Sequence, residues 1–172
     1  MRKTKKLTLA SILSALSVVF LYFGAVIEVL DLSFTLLASL IIIFAQIELG
    51  RPYQYLMYAS VSVLSLILLP NKFSAVAYIF LGGLYPLLRV YLGKIKGRVL
   101  RFTIKMLTFW VLFAAVAALS IFVLGIPMGA VWETVAIIVL ANISFIAYDL
   151  LIGRVLILYD SKIRWRISRF LK

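Results

Sequence analysis

Residues 93–124 read GKIKGRVLRFTIKMLTFWVLFAAVAALSIFVL. Lys94, Lys96, Arg98, Arg101 and Lys105 crowd the beginning, and no further charge occurs before Glu133. A helix rises about 1.5 Å per residue, so roughly 20 apolar residues cross a hydrocarbon layer about 30 Å thick. Ile104–Leu124 meets that length, with a basic collar at one end only. Working outward, the same pattern recurs at Leu7–Ile27, Ser33–Ile47, Tyr53–Leu69, Ser74–Leu92 and Val131–Gly153. The breaks are chemical: Glu28 and Asp31, then Glu48-Leu-Gly-Arg-Pro52, then Pro70-Asn-Lys72, and Gly125-Ile-Pro127-Met-Gly129. These readings predict an all-α integral membrane protein of six transmembrane helices.

Composition agrees. Hydrophobic residues make up 65% of the 172-residue chain and charged residues 14%, against about 45–50% apolar in an ordinary soluble domain. Neither a cytosolic globular fold nor a disordered chain has this balance. Residues 1–172 read as a single transmembrane domain, with 154–172 as a basic amphipathic cytoplasmic tail. The basic start Arg2–Lys6 followed by an apolar run reads as the first span rather than a cleaved signal, because no small-x-small site leads into a polar chain. Six spans put every Lys and Arg except Lys72 on one side. The bias of basic loops toward the cytoplasm then places the N- and C-termini inside, in a bacterial cytoplasmic membrane. The formal charge of +12 fits attraction to anionic lipid at that face. Nucleic acid is not an expected partner, since the charges lie beside the bilayer and no binding fold presents them.

The chain has no cysteine and no histidine. That removes disulfides, zinc–thiolate sites and every histidine-dependent catalytic device. The G-x-x-x-x-G-K-[ST] loop, the H-E-x-x-H motif and the G-x-S-x-G elbow do not occur. Asp149 reads as the sole aspartate within a span, too few for an aspartyl peptidase pair. No cofactor or metal is expected, and no enzymatic activity.

Three groups of polar or small residues stand out. At the outer mouth are Glu28, Asp31, Asn71, Lys72, Trp132 and Glu133, flanked by Tyr22, Phe23, Phe34 and Phe73. Acids, one base and apolar rings together suit a small, partly polar solute. Asn142, one heptad before Asp149 on the last span, joins them as an inward-facing polar group. Glu48, Arg89 and Asp149 fall near the cytoplasmic boundary and read as an intramembrane ion cluster. Ala10, Ser11, Ser14 and Ala15 put small side chains on the first helix, where another helix can approach closely. Pro86, after Gly82-Gly83, is expected to kink the fourth span.

In length, span count and first-helix sequence, Leu7-Thr-Leu-Ala-Ser-Ile-Leu-Ser-Ala-Leu-Ser17, the chain resembles the substrate-binding S components of energy-coupling factor transporters. Their A-x-x-x-A contact motif is replaced here by Ala10-x-x-x-Ser14 or Ser11-x-x-x-Ala15. The segment from Leu69-Pro-Asn-Lys72 through Tyr85-Pro-Leu-Leu-Arg89 also looks like uncharacterised six-helix Gram-positive membrane proteins of similar size. The resemblance implies capture of a vitamin or other micronutrient from outside. It also implies a coupling subunit seated on Ala10, Ser11, Ser14 and Ala15, and ATPases that energise transport in trans. Two other readings stay open: an MreD-like structural subunit of cell-envelope machinery, and an intramembrane lipid-acting enzyme using Glu48, Arg89 and Asp149.

Overall fold

The computed structural model describes residues 3–27, 30–93, 95–125 and 131–158. Among them the chain forms helices and no strand. They are α1 (Lys3–Val26), α2 (Asp31–Glu48), α3 (Arg51–Leu68), α4 (Lys72–Leu92), α5 (Arg98–Phe122) and α6 (Val131–Leu158). All but α3 are long and apolar enough to cross a membrane. The 18-residue α3 matches α2 in length but carries Arg51, Gln54, three tyrosines (Tyr53, Tyr55 and Tyr58) and a serine stripe, which dilute its apolar character.

Local chemistry sets the boundaries. Gly50 takes φ +94°, a backbone that side chains rarely adopt, and lets the chain reverse between α2 and α3. Pro52 then sits in the first turn of α3, where its missing N–H costs nothing. The Asn71 side chain accepts a hydrogen bond from Phe73 N at 3.0 Å and so caps α4. Gly97 at φ +101° launches α5 at Arg98, six residues before the apolar run itself begins. At the other end, α6 continues past Gly153 to Leu158, so the start of the expected tail belongs to this helix. Residues 159–172 lie outside the described residues, and with them most of that tail.

The fourth helix departs from α geometry, and the departure is a widened turn. Tyr78–Leu84 is π-helical and returns to α geometry at Tyr85. Pro86 follows directly, so its ring meets backbone whose pairing has already lengthened from i→i+4 to i→i+5.

Residues 3–126 make one compact unit, and α6 belongs to another. Within the larger unit, α1 packs on α2 and α3, and the π segment lies against α2, α3 and α5. Val18, Leu21, Ala38, Ile42, Val61 and Tyr78 are the middle of its core. Nearer the start of α1, Ala10, Ala45, Leu49 and Met57 form a second cluster. The outside is as apolar as the inside: Ile12, Val63, Ile67 and Phe122 are 59%, 57%, 68% and 85% exposed. Buried among the helices are Ser14, Ser17, Ser39, Gln54 and Ser65. This reversal suits lipid as the solvent, where apolar faces need no cover and polar groups need internal partners. Helix association then rests on close packing and hydrogen bonds rather than on expulsion of water.

Candidate functional site

Most hydroxyls on these helices are satisfied within their own helix. Ser14 Oγ donates to Ala10 O at 2.9 Å, Ser17 Oγ to Leu13 O at 2.9 Å, and Ser120 Oγ to Val116 O at 2.8 Å. The i−4 carbonyl is the nearest partner in an apolar surround. Against that background, Asp31 is different. It is the first residue of α2 rather than a loop residue, and it is only 8% exposed. Its Oδ2 accepts a 2.8 Å hydrogen bond from Ser74 Oγ in the first turn of α4. A carboxylate so placed demands donors, because desolvation without them costs several kcal/mol.

The surroundings are drawn in by glycine. A Cβ on Gly24 would lie 2.9 Å from Phe34 Cβ and 3.3 Å from Asp31 Oδ1, so only hydrogen fits there. One turn into α2, Thr35 is 4% exposed and its hydroxyl has no hydrogen-bond partner among the described residues. Thr35 faces the π segment: a Cβ on Gly82 would sit 2.9 Å from Thr35 Cγ2. On the other side of that segment, Tyr58 Oη donates to Ile79 O at 3.2 Å. Phe20 and Phe23 lean on Phe34 with ring centroids 6.2 and 6.4 Å away. The result is a buried acid, a serine, a threonine and a widened helical turn, with the phenylalanine cluster reaching this region through Phe34 at Gly24. Such a turn is a frequent mark of functional sites.

Sequence reasoning named Asp31 and set Thr35 with Ser39 and Gln46, and Ser65 with Tyr58 and Ser62, on inward-facing polar stripes, but missed Ser74 and the π turn. Ser74 looks like any small polar residue on an apolar helix, and its partnership spans 43 positions. Asn71 and Lys72 stand just before Ser74 and are used structurally. Asn71 caps α4, and Lys72 Nζ donates to Leu66 O at 2.8 Å and Leu69 O at 2.9 Å. Glu28 lies outside the described residues. Trp132 and Glu133 fall in the first turn of α6, both exposed, and Trp132 is 72% so. Farther along α6, Asn142 Nδ2 donates to Ile138 O at 2.8 Å.

Of the ion-cluster residues, Glu48 ends α2 and Arg89 lies in the last turn of α4, both half-buried and on helices that touch. Asp149 is on α6, in the other unit. It is not alone in being helical, since Asp31 opens α2. The small residues of α1 divide: Ala10 and Ser14 are buried within the bundle, whereas Ser11 and Ala15 are exposed. Among the described residues no three acidic side chains gather into a metal-binding group. No protein-family model, no curated protein and no solved structure matches the chain.

Proposed function

We propose that this chain is a six-span protein of the bacterial cytoplasmic membrane with both termini inside. In this reading it serves as a non-enzymatic solute-binding subunit, similar to the S components of energy-coupling factor transporters. It takes a small, partly polar micronutrient from the outer side, and a coupling subunit with ATPases drives release inward. The observation that carries this reading is the buried Asp31, held by Ser74 and set against Thr35 and the π turn of α4. An ionisable group buried among apolar helices, even at a helix end, is expensive and is kept where it does something. The exposed Ser11 and Ala15 on α1 suit the approach of another helix.

Native mass spectrometry of the purified full chain tests the binding step. A retained small molecule in the wild type, lost in Asp31→Asn and kept in Ala15→Trp, supports the reading. Copurification with a coupling subunit should show the opposite pattern, blocked by Ala15→Trp alone. A wild-type chain that retains nothing and brings down no ATPase overturns it.

A structural role, as in MreD-like subunits, is the second reading. It is favoured by Asn71 and Lys72, whose polar atoms cap helices rather than stand open at the mouth. Under that reading the wild type copurifies with a partner but retains no small molecule, so Asp31→Asn has no bound solute to lose.

A further inference from the structure

The opposite end of the bundle holds a second constellation. Arg51 is exposed at the first residue of α3, and its guanidinium carbon lies 5.7 Å from the ring centroid of Tyr91, near the end of α4. The Tyr91 hydroxyl is 2.8 Å from the Tyr55 hydroxyl, one helical turn on from Arg51. Tyr55 and Tyr91 are 43% and 48% exposed. Among the described residues no carboxylate pairs with Arg51. The turn is itself pinned to α1, where Lys6 Nζ donates to Leu49 O at 3.4 Å and stands 5.8 Å over the Tyr53 ring.

We propose that Arg51, Tyr55 and Tyr91 form a binding site for the phosphate of one anionic phospholipid. An arginine fork matches the tetrahedral oxygens of a phosphate, and the Tyr55–Tyr91 hydroxyl pair, in which one O–H donates to the other, leaves one phenolic O–H as a neutral donor beside it. Stacking on Tyr91 holds the guanidinium in place without neutralising it. Two tyrosines at one level also suit the headgroup zone, where an apolar ring and a polar tip are both accommodated. The choice of lipid over a free phosphate follows from what adjoins the site. Outward along α3 from Tyr55, Leu56, Val63 and Leu66 are exposed and offer acyl chains an apolar track. The site is distinct from the Asp31 region and does not depend on the solute-binding reading.

The test uses the full chain in neutral detergent, titrated with phosphatidylglycerol or phosphatidylcholine and read by native mass spectrometry. The wild type retains one phosphatidylglycerol in preference to phosphatidylcholine. Losing the charged fork in Arg51→Ala lowers that retention about tenfold, as expected for one charge-assisted phosphate contact. Tyr91→Phe keeps the ring, and so the fold, but breaks the Tyr55–Tyr91 hydroxyl pair and gives a smaller loss. Lys96→Ala removes an exposed charge elsewhere on this face and leaves retention unchanged. Equal losses in Arg51→Ala and Lys96→Ala would reduce the effect to net charge and overturn the site. Displacement of the lipid by inorganic phosphate at comparable concentration would overturn the lipid assignment.

Discussion

Ser74 Oγ donates to Asp31 Oδ2 at 2.8 Å, tying the first turn of α4 to the first residue of α2 across 43 residues of chain. A hydrogen bond to a charged group contributes about 1.5–3 kcal/mol, and a buried carboxylate stripped of a donor keeps its desolvation cost. Ser74→Ala is therefore expected to lower stability by about 1–3 kcal/mol. Ser14→Ala, which removes only a bond to its own helix, should cost less than about 1 kcal/mol. Thermal unfolding in detergent micelles separates the two; matched losses would mean that the Asp31–Ser74 contact ties nothing together.

Gly83 meets α3 more closely than any side chain allows. A Cβ there would sit 2.5 Å from Tyr58 Cδ2 and 2.6 Å from Cε2, inside van der Waals contact. The ring cannot swing away freely, because its hydroxyl is held at Ile79 O. Gly83→Ala should cost about 1–3 kcal/mol, the usual range for overpacking. Gly125→Ala meets no atom within 4 Å but is strained by φ +66°, and should cost about 1 kcal/mol. Tyr58→Leu in the Gly83→Ala background should restore part of the loss. Measured melting temperatures that fail to recover in the double variant would place the strain elsewhere.

Gln54 Nε2 donates to Gln46 Oε1 at 3.2 Å between α3 and α2, and Gln54 is 2% exposed. Removing one partner strands the other amide, whereas removing both leaves an apolar contact. Gln54→Leu alone should cost about 1–3 kcal/mol, and adding Gln46→Leu should return most of it. A double-mutant cycle read by chemical denaturation gives the coupling. Additive losses would show that the two amides act independently.

The helices were legible because their ends carry strong local chemistry. Gly50 and Gly97 adopt backbones that favour glycine, Pro52 sits in a first turn, and Asn71 caps. Each of those signals acts within a few residues of itself. The inward stripes of Thr35 and Ser39, and of Ser65, were likewise readable from helical spacing, and these side chains are buried. What spacing could not reveal was which flank of α1 turns inward: Ala10 and Ser14 are buried while the equally small Ser11 and Ala15 are exposed. Only the identity of the neighbouring helices decides that. The π turn escaped for a related reason. Proline marks a disturbance in the backbone, but whether it becomes a bend or a wider turn depends on how Gly82 and Gly83 fit Thr35 and Tyr58. Asp31 was recognised as an acid of the outer end, yet its burial depended on Ser74, which no nearby residue announces.

Lys72 offers the sharpest division between a structural and a binding role at the Asp31 end of the bundle. Its ammonium donates to Leu66 O, in the last turn of α3, and to Leu69 O, just past that helix, carbonyls with no partner within the helix. A cation there also opposes the negative end of the helix dipole, an effect of about 0.3–1 kcal/mol when exposed. Lys72→Met should therefore lower the melting temperature of the full chain modestly, and Lys72→Arg should recover part of the loss by reaching the same carbonyls. If Lys72 is a cap and nothing more, any solute retained by the wild type remains bound to Lys72→Met below its melting temperature. Loss of the solute with an unchanged melting temperature would instead make the ammonium a ligand, and the two carbonyl contacts would then describe only the state in which no solute is bound.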